Sequence, residues 1–246
     1  MDFCDRARVG EFLTGKRICL VGSGPGSSAN KFGFVDSHDV IVRVNNYKLD
    51  WRTGSRTDVF YSYFGKAVKK TPEDLKRDGV KLCMAKCPDV KFMDSPWHAS
   101  HGRESGVDFR WIYERRKYWW FCDTYIPTLD EFMKNFRLLG GHVPTTGFAA
   151  LLDILSYDPE HIYMTGFDFF TSRIHNLNER WKPSKVSDPI GHVPITECEW
   201  LKNNRDRIPV SFDKKLKEVL GKDVVQLRRQ AIPGISQARQ RSSVRR

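Results

Sequence analysis

The chain has 246 residues, 40% hydrophobic and 29% charged, a balance that excludes wholesale disorder and suits one good core better than two domains. Of its formal charge of +11, six units come from arginines in 224–246, a stretch with no acid, so much of the basicity belongs to a tail and describes that tail's partner. No apolar run reaches the length of a membrane span and the first residues hold no signal-peptide core, so a cytoplasmic protein with six scattered, reduced cysteines is expected.

The first element is Arg17-Ile18-Cys19-Leu20-Val21, an apolar run entering Gly22-Ser23-Gly24-Pro25-Gly26. A strand feeding a glycine-rich loop is the opening turn of a nucleotide-binding α/β sheet, where backbone N–H groups come close to a phosphate. Val40–Val44 reads as a second buried strand, with Asn45 and Asn46 at its carboxyl end. A dinucleotide site wants an acid there to hold the ribose, so Asn45 disfavours nicotinamide chemistry. Residues 59–63 give a third strand, 72–78 a charged helix and 80–85 a fourth strand. Between 86 and 121 the periodicity dissolves into Pro, Gly, His and aromatics, the mark of an inserted lid.

A helix over 128–139 leads to Gly141-His142-Val143-Pro144-Thr145-Thr146-Gly147, then to an apolar run with helical spacing up to Leu155. This turn delivers unpaired N–H groups to the first turn of a helix and favours an anion. The strand 162–165 closes at Gly166, followed by Phe167 and Asp168; 171–191 is irregular and polar. Helices follow over 194–204 and 213–220, and from 223 the composition turns to Arg, Gln and Ser, where disorder is expected. The predicted architecture is one α/β domain over 1–222, with a mainly parallel sheet flanked by helices and an inserted lid over about 86–121, then a basic tail over 223–246.

Two histidines carry candidate chemistry. His192 stands just ahead of a Pro-initiated helix after a long polar loop, and its ordinary pKa suits a general base at neutral pH. A lone histidine is more often a surface residue. His175, in the same irregular segment, could donate to a phosphate oxygen. Cys83, Cys87, His98 and His101 have the composition of a zinc site but a poor spacing, and no Asp-x-Asp pair occurs to hold a divalent ion against a sugar diphosphate, so no metal and no cofactor are expected. The basic and aromatic run 110–121 suits base stacking or sugar packing, or equally the inner side of the lid.

In order, these stretches resemble the sialyltransferases of glycosyltransferase family 29. Residues 20–24, 35–45 and 53–58 resemble that family's large donor-binding motif; 144–147 through 166–167 resemble its small motif; His175 falls at its third motif; and His192 with Glu197 matches its very small motif, His-x4-Glu. Gly166-Phe167-Asp168-Phe169-Phe170 and Ile190-Gly191-His192 also look like the bacterial sialyltransferases of lipo-oligosaccharide synthesis. The resemblance implies a variant Rossmann-like fold, CMP-sialic acid as donor, a glycan hydroxyl as acceptor, inversion, and no metal requirement. It implies that Ser23, Gly24 and Asn45 contact the CMP moiety, that Thr146 and Gly147 hold the nucleotide or the sialic carboxylate, that His175 meets the phosphate and that His192 is the base. Gly22, Thr145, Gly166 and Asp168 complete the expected donor surface.

The chain departs from the family twice. Cys19 lacks the partner that the vertebrate disulfide would need, and Phe170 stands where the bacterial enzymes present a tyrosine, leaving His175 or Tyr163 for the phosphate. The alternatives are a related nucleotide-binding transferase with another activated donor, or a catalytically silent module binding nucleic acid or glycan. The tail suits weak contact with an anionic membrane surface more than it suits nucleic acid.

Overall fold

Five apolar stretches of four or five residues become the parallel strands β1 (Arg17–Val21), β2 (Val40–Val44), β3 (Val59–Ser62), β4 (Leu82–Ala85) and β6 (His161–Thr165). Val and Ile dominate β2, and β2, β3 and β4 are buried throughout, as strands covered on both faces must be. Two three-residue edge strands, β5 (Asp123–Tyr125) and β7 (Val210–Phe212), complete a seven-stranded sheet. The computed structural model describes residues 3–64, 68–88, 122–171 and 193–222.

The strand order is β5-β4-β3-β2-β1-β6-β7, and every pairing is parallel. The chain therefore steps outward from β1 to β5, then crosses back to lay β6 on the other side of β1. At such a reversal the loops leaving the two neighbouring strands part in opposite directions and open a crevice at their carboxyl ends. Cys19 pairs with Ile41 on one side and Tyr163 on the other, so this switch point lies inside the sheet.

The helices are α1 (Arg6–Leu13), α2 (Pro72–Arg77), α3 (Leu129–Leu138), α4 (Thr146–Leu155), α5 (Pro194–Asn204) and α6 (Lys214–Leu220). Strand alternation divides their packing. Leu82 and Met84 of β4 join the large core that holds α1, α4, α5 and α6, whereas Cys83 and Ala85 join the smaller core that holds Leu75 of α2 and Phe132 of α3. Helix α4 buries six side chains, Phe148, Ala149, Ala150, Leu151, Leu152 and Ile154. At about 1.5–3 kcal/mol for a large apolar side chain, its phenylalanine, leucines and isoleucine anchor it firmly to the sheet. A partly buried carboxylate adds direction: Asp153 accepts from the Tyr61 hydroxyl of β3 and, at 2.7 Å, from the Asn135 amide of α3.

The predicted α/β class, with a Rossmann-like sheet flanked by helices, is the observed one. Sequence reading missed α1, β5 and β7. Helix α1 is capped by Asp5, whose carboxylate accepts from the Arg8 N–H at 2.9 Å, but only Val9 and Leu13 are buried, which gives too faint a stripe to see in advance. Of the expected lid, 89–121 lies outside the described residues, as does the tail 223–246.

Candidate active site

The two loops at the switch point touch backbone to backbone. The Gly22 N–H donates to Thr165 O and the Gly24 N–H to Gly166 O, both at 2.8 Å. A Cβ on Gly22 would come within 2.5 Å of Gly166 O, and one on Gly166, which sits at φ +76°, within 2.5 Å of Gly22 O. These glycines permit the close approach of two chains. That corrects the expectation for Gly22 and Gly24 as backbone donors to a phosphate, since carbonyls already hold both N–H groups.

Asp213, read in the sequence as no more than the start of a helix, locks this junction. It is buried; its Oδ2 accepts from the Thr165 hydroxyl at 2.9 Å and the Gly166 N–H at 2.8 Å, while its Oδ1 caps α6 through the Leu216 N–H at 2.7 Å. Gly26 leaves room for that carboxylate.

Asn45 follows β2 in a left-handed conformation, φ +51°, which asparagine tolerates better than most residues. Its Oδ1 accepts from the Ser62 hydroxyl at 3.0 Å and the Tyr63 N–H at 3.3 Å, so the amide nitrogen is the end turned away from β3. Other polar residues of the long first motif bond to one another and build scaffold. Arg43 is fully buried and donates to Thr53 O at 2.7 Å and Arg56 O at 3.1 Å. Asp36 holds Ser55 through its N–H and hydroxyl, and Asp58 takes the Ile41 N–H at 2.9 Å.

At the start of α4, Thr145 is the N-cap, its hydroxyl oxygen accepting from the Phe148 N–H at 3.3 Å. Both Thr145 donors go to Glu197 of α5: the N–H to Oε1, and the hydroxyl to Oε2 at 2.9 Å. Thr145 therefore shapes the helix end, and its own donors are engaged. The next two N–H groups, of Thr146 and Gly147, find no acceptor among the described residues. Glu197 is buried, and burial pushes its pKa up to about 7 against the opposing pull of the Thr145 bonds and the Lys86 charge.

Phe167 joins the three segments. Its ring fills the space where a Gly147 side chain would stand and lies 3.1 Å from a Cβ built on Gly22. The α4 start, the β1 loop and the β6 loop thus converge on one aromatic ring that sequence reasoning noted merely as part of a motif. Asp168 is buried and turned to its own loop, its Oδ1 accepting from the Phe170 N–H at 3.0 Å. Phe169 and Phe170 then take left-handed backbone, φ +49° and +59°, strain of the kind that gathers at functional sites.

Tyr163, named as a stand-in for the missing phosphate ligand, is placed otherwise. It pairs with Cys19 in mid-strand, its hydroxyl donates to Asn30 Oδ1 at 2.9 Å, and it packs against Phe34 and His38. His192 and His175 lie outside the described residues, as do His98 and His101. Cys83 meets Cys122 at 3.4 Å, and among the described residues no group of three or more His, Cys, Asp or Glu could hold a metal ion.

No protein-family model matches the sequence, and no curated protein does. Solved structures do match. A monomeric form of the sialyltransferase CstII aligns at 15% identity over 84% of this chain and 85% of that one, with a TM-score of 0.54. CstII from Campylobacter jejuni in complex with the substrate analogue CMP-3FNeuAc aligns at 14% identity over 80% and 81%, with a TM-score of 0.53. The chain has the sialyltransferase fold. The same Campylobacter enzyme in complex with cytidine-5'-monophosphate aligns at 14% identity over 81% and 80%, with a TM-score of 0.50. In this sialyltransferase fold the β1–β6 switch point, the α4 start and the ends of β2 and β3 share one edge of the sheet.

Proposed function

We propose that the protein is a sialyltransferase that moves sialic acid from CMP-sialic acid to a hydroxyl of a glycan acceptor, with inversion and without a metal. The observation that supports this most is the pair of hydrogen bonds between Thr145 and Glu197, 52 residues apart. Two stretches singled out separately for their resemblance, the small and very small motifs, meet at a helix end that offers two open N–H groups at the carboxyl edge of a sheet with the sialyltransferase fold.

In the proposed reaction, His192 takes the proton of the acceptor hydroxyl as its oxygen bonds to the anomeric carbon. The bond from that carbon to the phosphate oxygen breaks, and its electron pair leaves with CMP. The Thr146 and Gly147 N–H groups and His175 are proposed to bear the donor's negative charge. Asn45 and Ser23 would contact the nucleoside. A lone phosphodiester needs less countercharge than a diphosphate, which fits a chain without an Asp-x-Asp pair.

Incubation with CMP-sialic acid and an acceptor should release CMP at the same rate with and without EDTA. His192→Ala should lower turnover by about 10²- to 10⁴-fold while calorimetry still detects CMP binding. Unchanged turnover in that variant would remove the base assignment, and no release of CMP by the unaltered protein would remove the transferase reading.

A further inference from the structure

Lys86 has no place in any motif above, yet it is a buried charge at the carboxyl end of an inner strand. It follows β4 directly and is 6% exposed. Its N–H donates to Ser62 O at 2.9 Å, and the Ser62 hydroxyl donates to Asn45, so Asn45, Ser62 and Lys86 form a hydrogen-bonded row across the carboxyl ends of β2, β3 and β4. Its ammonium group forms no hydrogen bond or ion pair with any described residue. Holding an ammonium largely withdrawn from water without a counter-charge is costly, and a bound anion would offset that cost.

The direction of the side chain follows from the strand. Leu82 and Met84 face the core that holds α4 and α5; Cys83, Ala85 and Cys87 face the other. Alternation puts Lys86 with the former, toward the α4 start. The carboxylate whose charge it feels is Glu197, the group that caps Thr145. That carboxylate lies beyond ion-pair distance and already holds both Thr145 donors. Burial pulls the ammonium's pKa below the ordinary lysine value, with Cys87 and Glu197 opposing the shift. Alternation and the influence of Glu197 thus put the Lys86 ammonium on the side of the sheet where α4 begins with its two open N–H groups.

We propose that Lys86 is the counter-cation of an oxyanion bound at the amino end of α4. Resting on the donor reading above, that oxyanion is the phosphate or the sugar carboxylate of a CMP-sialic acid, and the test separates the two. Lys86→Met keeps the length of the side chain and removes the charge. If Lys86 meets the phosphate, calorimetry should show CMP affinity reduced roughly 10- to 100-fold with cytidine binding unchanged. If it meets the carboxylate, CMP affinity should hold while KM for CMP-sialic acid rises by a similar factor, and Lys86→Arg should recover part of the loss. In both cases the ligand-free variant should melt no lower than the unaltered protein, since an uncompensated charge has been removed.

Affinity for CMP and KM for CMP-sialic acid both unchanged in Lys86→Met would overturn the proposal. So would a loss of melting temperature that accounts for the whole effect. Should the unaltered protein bind neither cytidine ligand, the donor reading fails separately. Inorganic phosphate then probes Lys86 directly: a thermal shift present in the unaltered protein and lost in Lys86→Met supports it, and equal shifts or none reject it.

Discussion

At the scale of single residues, the helix end is governed by Glu197, a carboxylate whose folded-state pKa is raised to about 7. A raised pKa means that the folded protein holds its proton to higher pH than the unfolded chain does. The associated stability is complete below the unfolded value near 4.5 and is lost as pH rises through about 7. Denaturant midpoints of the unaltered protein should therefore fall between pH 5 and pH 8 relative to Glu197→Gln, by up to about 3 kcal/mol in stability. Parallel profiles for the two proteins would contradict this. Glu197→Ala leaves the Thr145 donors without their acceptor and should lose about 1–3 kcal/mol at pH 5, read as a lowered melting temperature, a deficit that shrinks as pH rises through about 7. Asp213 should be as sensitive, because Asp213→Ala releases Thr165, Gly166 and the cap of α6 together; about 2–4 kcal/mol is expected from three buried bonds. Little of this was legible in the chain. Asp213 reads as an ordinary N-cap, and nothing local reveals that its second oxygen reaches a loop 47 residues away.

At the scale of elements, legibility followed length and burial. Strands of four or five apolar residues announce themselves, but β5 and β7 have three residues each and contain Asp123 and Ser211, too few positions for a period to show. The glycines were visible and their purpose was not, because one residue type serves both a phosphate cradle and a backbone crossing. Gly22, Gly24 and Gly166 turn out to serve the crossing. Gly147→Ala tests what the convergence of elements contributes. Its added methyl group meets the Phe167 ring, so α4 should persist by circular dichroism while CMP affinity falls at least tenfold as Phe167 is displaced. Full affinity in a folded variant would mean that the β6 loop and the α4 start do not shape a common site.

Across the whole molecule, the sheet order explains why motifs spread from Gly22 to Glu197 can act together. Reversal at β1 brings the first loop against the loop after β6, and α4 packs its buried face so that its open end meets both. Among the described residues no helix is long and apolar enough to cross a membrane. The net charge beyond the tail is modest, and removal of 224–246 should leave transferase turnover mostly intact, measured as CMP release; a loss of more than tenfold would make the tail part of the catalytic unit.

The central claim is that a cytidine monophosphate group is recognised at the amino end of α4. Calorimetric titration of the intact protein with CMP, UDP, GDP and NAD tests it most directly. The account predicts binding of CMP at one site per chain and no heat from the other three. Equal binding of UDP or GDP, or no binding of CMP, would contradict it.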